Sequence, residues 1–262
     1  ARIRRAQDPG NVMNRSSIPV DERLIFAMDV PDADRARALA EQLGDSVKFY
    51  KLGLELMMAG GYFELLDWLV ARDKRVFVDL KFFDVPATVG RAVARLANRG
   101  VTFATVHGNQ SIMEAAAAAK GDVKILAVTV LTSLDRGDLD DLGFACDVDE
   151  LVLSRARRAL EAGCDGVVSS GLEAPKLRAA IDPRLLVVTP GIRPVENRPT
   201  DDQKRVVTVD QAFHNGADYI VVGRPIRDAA DPRAAAEAIQ RTIATVFASD
   251  SNPSRSITRE SE

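Results

Sequence analysis

Residues 75–89 of this 262-residue chain read RVFVDLKFFDVPATV, and this stretch decides the fold. Its first seven residues, Arg75–Lys81, are a brief run with apolar residues at four positions. A helical pattern, Thr88–Arg99, follows soon after Pro86. A short apolar run followed by an amphipathic helix is typical of a parallel strand in an α/β protein. Because side chains alternate along a strand, Asp79 and Lys81 should share one face.

The same alternation of apolar runs and amphipathic stretches recurs along the chain. The other seven runs are Leu24–Asp29, Phe49–Leu52, Phe103–His107, Lys124–Thr129, Gly166–Ser169, Leu185–Thr189 and Tyr219–Val222. Further helical patterns, with apolar residues three and four apart, lie at Asp32–Leu43, Asp149–Ala162 and Pro232–Phe247. Eight strand–helix units in about 225 residues predict a single-domain (β/α)8 TIM barrel. A doubly wound open sheet is the alternative, since strand count from one sequence does not separate the two.

Composition excludes several classes of protein. The chain has 35 Lys and Arg against 38 Asp and Glu, a net charge of −3, which argues against a globally basic nucleic-acid binder. No run approaches the length of a transmembrane helix, so we expect neither a nucleic-acid nor a membrane partner. The two cysteines, Cys146 and Cys164, form neither a disulfide framework nor a zinc signature, which favours a reducing compartment.

Both ends of the chain differ from its middle. Residues 1–20 carry four arginines and no apolar segment, which favours a disordered N-terminal extension over a transit peptide. Residues 248–262 are rich in serine and lack apolar periodicity, so they are predicted to form a disordered polar tail. Residues 21–247 are predicted to form the barrel.

Enzymes with this architecture place their chemistry at the C-terminal ends of the strands, and several predicted strands end in polar residues. If Asp79 and Lys81 face inward, Phe77 lies below them and Val76, Val78 and Leu80 face the helices. The pattern Asp79-x-Lys81-x-x-Asp84 is by itself equally compatible with an ion-pair network that only closes the barrel mouth.

The wider motif set is more specific. The stretch from Asp79 to Val89 resembles the signature of orotidine 5'-phosphate decarboxylases of the bacterial type. Further matches, in the order of that family, are Ala27–Asp29, Lys51–Gly53, Leu131–Ser133, Pro190–Pro194, Asp202–Arg205 and Val222–Ile226. Two positions depart from the family pattern: Phe83 stands where His is usual and Ala87 where Asn is usual.

This resemblance implies decarboxylation of orotidine 5'-monophosphate to uridine 5'-monophosphate (UMP) and CO2, the last step of de novo UMP biosynthesis, without a metal or organic cofactor. It assigns Lys51, Asp79, Lys81 and Asp84 to an alternating catalytic network in which Lys81 protonates C6 of the pyrimidine. The residues it assigns to substrate binding are Asp29, Lys51, Thr88, Thr132, Arg193, Gln203, Gly223 and Arg224.

Within that set, Asp29 and Lys51 would bind the ribose, Thr132 the pyrimidine, and Gly223 and Arg224 the phosphate. Gln203 would close over the phosphate from the segment Pro190–Val206, which has the length and composition of a lid. The resemblance also implies a homodimer with shared active sites, in which Asp84 and Thr88 reach the neighbouring site. A cytoplasmic location is expected from the reducing compartment that the cysteines favour.

Two alternatives remain open at this stage. Magnesium-dependent decarboxylases and synthases of sugar phosphates share the Asp-x-Lys-x-x-Asp motif, but they carry an acidic residue near the second strand end, where this chain has Lys51. A barrel that binds a nucleotide without turnover is the other, and only Phe83 and Ala87 favour it.

Overall fold

Eight parallel strands form a closed barrel in which each strand pairs with the next and β1 pairs with β8. This is a computed structural model, and it describes residues 17–193 and 206–250. The strands are β1 Leu24–Ala27, β2 Phe49–Leu52, β3 Arg75–Phe82, β4 Val101–His107, β5 Lys124–Val128, β6 Gly166–Val168, β7 Leu186–Thr189 and β8 Tyr219–Val222. The TIM-barrel prediction is confirmed, and the open-sheet alternative is wrong because the β1–β8 pairing closes the sheet.

The helices lie outside the barrel. They are α1 Ala33–Leu43, α2 Leu54–Ala59, α3 Tyr62–Val70, α4 Pro86–Ala94, α5 Gln110–Ala119, α6 Arg136–Asp141, α7 Val148–Glu161, α8 Ala174–Ala180, α9 Val209–His214, α10 Arg224–Arg227 and α11 Pro232–Asp250. Asp32 caps α1, since its side chain accepts a hydrogen bond from the Arg35 N–H at 2.8 Å. Among these described helices, none combines the length and apolar character needed to cross a bilayer.

One predicted helix is shorter than its pattern suggests. The helix predicted at Thr88–Arg99 begins two residues earlier, at Pro86, and ends at Ala94. Asn98 and Gly100 both have positive φ, at 63° and 75°, which a continuing helix cannot accommodate. The chain therefore turns into β4 soon after the helix ends.

The barrel interior is filled by side chains, as the alternation along β3 predicts. Phe77 packs inside with Phe49, Phe103 and Tyr219, whose ring centroids lie 5.2–5.9 Å from their neighbours. Val76, Val78 and Leu80 belong instead to the apolar layer between strands and helices. Because side chains fill the middle of the barrel, a substrate can bind only at an end of the barrel.

The N-terminal end of the barrel is closed by residues that precede the strands. Ile18 is buried with the interior cluster, although it falls in the segment predicted as an extension. The Arg23 guanidinium donates to the carbonyls of Ile18 and Asp218, at 3.2 and 3.1 Å. Arg178 pairs with the buried Asp218 carboxylate at 2.5 Å. At the other end of the chain, α11 continues to Asp250, so the first residues of the predicted polar tail are helical.

Candidate active site

A cavity of about 360 Å³ opens at the C-terminal ends of the strands. Its wall includes residues at or just beyond the ends of β1, β2, β3, β5, β7 and β8. Eight residues predicted for the site line it: Asp29, Lys51, Asp79, Lys81, Thr132, Arg193, Gly223 and Arg224. The fold thus brings together side chains that are up to 195 positions apart in the sequence, from Asp29 to Arg224.

Four of these residues form an alternating row of charges along one side of the cavity. Lys51 Nζ lies 3.2 Å from Asp29 Oδ1 and 3.3 Å from Asp79 Oδ2. Lys81 Nζ lies 3.0 Å from both carboxylate oxygens of Asp79. Asp79 and Lys51 are almost enclosed, with side chains 11% and 13% exposed, whereas Lys81 is 34% exposed. Both lysines line the cavity, and Lys81 is the more exposed of the two.

The charges of this row stabilise one another in their ionised forms. Burial alone would raise the pKa of the Asp79 carboxyl, but Lys51 and Lys81, with hydrogen bonds from Lys81 and Thr105, hold that pKa below its usual range. Burial would likewise lower the pKa of Lys51, but the carboxylates of Asp79 and Asp29 raise it above its usual range. Both groups are therefore charged at neutral pH.

Local backbone geometry aims Lys81 into the cavity. Val78 of β3 pairs with Ala104 of β4, and the next pair is Phe82 with Val106. Three residues of β3 therefore lie opposite the single residue Thr105, which makes a bulge in the strand.

The bulge distorts the backbone at the lysine itself. Lys81 has a φ of +47°, a left-handed value that few residues other than glycine adopt. Bulges and residues held in a left-handed backbone conformation are frequent in and next to active sites.

Thr105 is a residue that the sequence analysis missed. Its hydroxyl donates to Asp79 Oδ1 at 2.9 Å and accepts the backbone N–H of Lys81 at 3.0 Å. The sequence does carry a sign of this role, because Thr105 is a polar residue at an inward-facing position of β4, two residues before His107.

The part of the cavity wall that follows β8 carries arginine and glycine. Gly223 follows β8 and lines the cavity, and a Cβ at this position would lie in contact with the Cβ of Ala27, at 3.4 Å. Arg224 begins α10 and lines the cavity. Arg227, one turn later, also lines it, donates to the Asp29 carbonyl at 2.9 Å, and was missed from the sequence. A fork of guanidinium donors in this part of the wall suits a phosphate.

The remaining predicted residues on the cavity wall come from two loops. Thr132 follows β5, and Arg193 follows β7, where its guanidinium donates to the Ile192 carbonyl at 2.9 Å. Gln203, and residues 194–205 of the predicted lid, lie outside the described residues.

Asp84 and Thr88 do not line this cavity. Asp84 is exposed, and its Oδ1 accepts the N–H of the next residue, Val85, at 2.6 Å. The Thr88 hydroxyl accepts from Arg91 at 3.2 Å. Beside Asp84, the ring of Phe83 is 64% exposed and stacks on His107 with centroids 4.3 Å apart. The structure therefore separates these two predicted site residues from the other described ones.

Residues 17–193 and 206–250 contain no group of three or more His, Cys, Asp or Glu side chains arranged to hold a metal ion. The two carboxylates of the cavity, Asp29 and Asp79, instead both contact the Lys51 ammonium.

Comparison with known proteins finds close relatives over nearly the whole barrel. Residues 22–239 match the model of the "Orotidine 5'-phosphate decarboxylase / HUMPS family". A protein of Methylococcus capsulatus named orotidine 5'-phosphate decarboxylase is 72% identical over 238 residues, which cover 91% of this chain and 98% of the relative. A protein of the same name from Stenotrophomonas maltophilia is 54% identical, over 90% of this chain and 99% of the relative.

Among solved structures, the orotidine 5'-phosphate decarboxylase of Lactobacillus acidophilus superposes with a TM-score of 0.75 at 36% identity, covering 85% of this chain and 99% of that one.

Proposed function

This chain belongs to the orotidine 5'-phosphate decarboxylase / HUMPS family, and from that premise we propose that its cavity converts orotidine 5'-monophosphate to UMP and CO2, with Lys81 as the proton donor. This reaction is the last step of UMP biosynthesis. The observation that carries the assignment of the residues is the Lys51–Asp79–Lys81 row, in which the Asp79 carboxylate pairs with both ammonium groups at 3.0–3.3 Å.

The chemistry requires a cation beside C6 of the pyrimidine. When the bond between C6 and the carboxylate carbon breaks, the electron pair stays on C6 as a carbanion with no ready electron sink. Lys81 stabilises that charge through its ammonium and then transfers a proton to C6, which leaves UMP and a neutral amine. Asp79 holds the ammonium in place, and Lys51 holds Asp79.

The rest of the cavity binds the nucleotide. Arg224 and the backbone near Gly223 bind the phosphate, Asp29 and Lys51 bind the ribose hydroxyls, and Thr132 meets the pyrimidine. Arg193 belongs to the same binding surface, and Gln203 is assigned to the phosphate. Support comes from the lining of the cavity, which holds the arginines that follow β8 together with the charged row. A guanidinium fork and a glycine that allows close backbone approach are the groups that a phosphate requires.

Lys51 argues against the metal-dependent chemistry found among sugar-phosphate relatives. A magnesium enediolate site needs carboxylates that are free to bind the cation. Here the Lys51 ammonium lies within 3.3 Å of both Asp29 and Asp79 and would repel a divalent ion. The proposal therefore includes no cofactor. Phe83 and Ala87 are the two departures from the family pattern that favour a barrel that binds a nucleotide without turnover, and neither of them lines the cavity.

In the proposed homodimer, Asp84 and Thr88 of each chain reach the active site of the other chain. Both lie outside the cavity of their own barrel, in the loop after β3 and the first turn of α4. Large apolar side chains are exposed in that loop and in α2, after the neighbouring strand β2; they are Leu54, Met58, Phe83 and Val85. Exposed apolar groups at one end of a barrel suit a homodimer interface. A cytoplasmic location completes the proposal, in keeping with the free cysteines Cys146 and Cys164.

Replacing the proton donor tests the proposal. Lys81→Ala should abolish turnover of orotidine 5'-monophosphate while the protein still folds and binds UMP, measured by absorbance and by isothermal titration. Lys176→Ala is the control, because this lysine pairs with Asp149 on the outer surface. Substantial residual turnover in Lys81→Ala would refute the role of Lys81.

A further inference from the structure

Thr105 contacts two members of the charged row from outside the cavity. It lies in β4, is fully buried, and does not line the cavity, so it has no direct access to a substrate. Its hydroxyl both donates and accepts within the proposed catalytic pair: it donates to the Asp79 carboxylate at 2.9 Å and accepts the Lys81 N–H at 3.0 Å. One side chain thus joins the backbone of the lysine to the carboxylate that holds its ammonium.

The bond to the Lys81 amide coincides with the irregular part of β3. The register from Val78–Ala104 to Phe82–Val106 leaves Thr105 opposite the bulge. Lys81 is held there at a φ of +47°. A left-handed residue other than glycine persists only where its surroundings fix it. Without a partner for its N–H, the Lys81 backbone is free to relax toward ordinary strand geometry, which would move the base of the lysine side chain.

We propose that Thr105 is a positioning residue for decarboxylation, which fixes the Lys81 backbone and the Asp79 carboxylate in one geometry before the substrate arrives. This inference rests on the proposed function of the cavity and assigns to it a residue that touches neither the substrate nor the reacting atoms. A displacement of about 1 Å in a catalytic group can cost about a hundredfold in rate, which gives such a residue a measurable effect.

The pKa of Asp79 gives a second link between Thr105 and the charged row. The groups that face this carboxylate are the ammonium of Lys51 on β2, that of Lys81 on β3 and the hydroxyl of Thr105 on β4. Burial raises the pKa of Asp79, and these three partners together lower it below its usual value. Loss of the Thr105 hydroxyl should therefore raise the pKa of Asp79.

The test compares Thr105→Val, which has the same shape but no hydroxyl, with Thr105→Ser, which keeps the hydroxyl. Thr129→Val is the matched control: Thr129 is another buried threonine, whose hydroxyl donates only to the Val168 carbonyl at 3.2 Å. Each variant is assayed for kcat and KM across pH and for thermal unfolding. Thr105→Val should lower kcat about ten- to a hundredfold with KM nearly unchanged, and should move the acid limb of the kcat profile to higher pH. Thr105→Ser should restore most of the rate, and Thr129→Val should keep it.

Three kinetic results would overturn the inference: unchanged kcat and pH profile in a folded Thr105→Val protein, no rescue by Thr105→Ser, or an equal loss of rate in Thr129→Val. The pKa of the Asp79 carboxyl, followed by ¹³C NMR in the ligand-free protein, provides a readout that does not need turnover. If the unaltered chain does not decarboxylate but Thr105→Val raises this pKa, the proposed function fails, and what stands is that Thr105 fixes the Asp79 carboxylate and the Lys81 backbone. An unchanged pKa contradicts the positioning role.

Discussion

Neutralising Asp79 should destabilise the folded protein in a way that depends on pH. Asp79→Asn keeps the shape of the side chain and an oxygen to accept from Thr105, but it removes the charge between two ammonium groups. At 3.0 and 3.3 Å, each ammonium attracts the carboxylate by about 5 kcal/mol at an effective dielectric constant of 20. Much of this is offset by desolvation of the buried charges, and water reduces the share of Lys81, which is one-third exposed. Removing one partner of a buried pair typically costs about 3–5 kcal/mol, and we expect a loss near the lower end of that range.

The pH dependence follows from the direction of the pKa shift. The folded-state pKa of Asp79 is depressed, and the value in the unfolded chain is about 3.9. The stabilising effect of the carboxylate is therefore fully present above pH 5 and is lost as the pH falls through the folded-state pKa. The free energies of unfolding of Asp79→Asn and the unaltered protein should differ most at pH 7 and converge below pH 4.

Equilibrium urea denaturation followed by the fluorescence of Trp68, the single tryptophan, measures this difference at fixed protein concentration. The control is Asp34→Asn, because Asp34 forms a surface pair with Arg37 at 3.0 Å and its side chain is 93% exposed. That variant should match the unaltered protein at every pH. A difference for Asp79→Asn that is the same at pH 7 and pH 3, or a more stable Asp79→Asn protein at pH 7, would refute the reasoning.

Two further predictions concern the phosphate end and the dimer. Because the guanidinium is assigned to the phosphate, Arg224→Ala should raise KM for orotidine 5'-monophosphate far more than it weakens binding of the phosphate-free nucleoside. Steady-state kinetics measures the first effect and calorimetry the second. Equal losses for both ligands would contradict the assignment. Asp84→Asn and Lys81→Ala should each be inactive alone, yet their equimolar mixture should recover about a quarter of full activity after subunit exchange. Half of the dimers then contain one chain of each variant, and in each of these dimers one of the two shared sites is intact. A mixture that stays inactive while subunits exchange would contradict the shared site.

The sequence was most informative where periodicity and chemistry coincide. The alternation in Arg75–Lys81 correctly predicts that Phe77 packs inside the barrel and that Val76 and Val78 face the helices. The parallel-strand pattern places the ends of all strands at one mouth, so the meeting of Lys51, Asp79 and Arg224 at one cavity follows from the fold alone.

What the sequence did not predict depends on irregular geometry. A period of two cannot reveal that three residues of β3 lie opposite Thr105, so the link from this threonine to Lys81 was invisible. Arg227 was missed because its role depends on the single turn of α10, which brings it back to the Asp29 carbonyl. The left-handed residue Asn98 prevents α4 from reaching the predicted end at Arg99, and a helical pattern of apolar residues does not reveal it.

The most direct test of the whole account is the change in ultraviolet absorbance of orotidine 5'-monophosphate on incubation with the protein in excess EDTA. The alternating charges of Asp29, Lys51, Asp79 and Lys81 predict full turnover under chelation, because the cation beside the reacting carbon is supplied by the protein. Turnover that requires added magnesium would contradict that prediction, as would a folded protein that binds the nucleotide and leaves it unchanged.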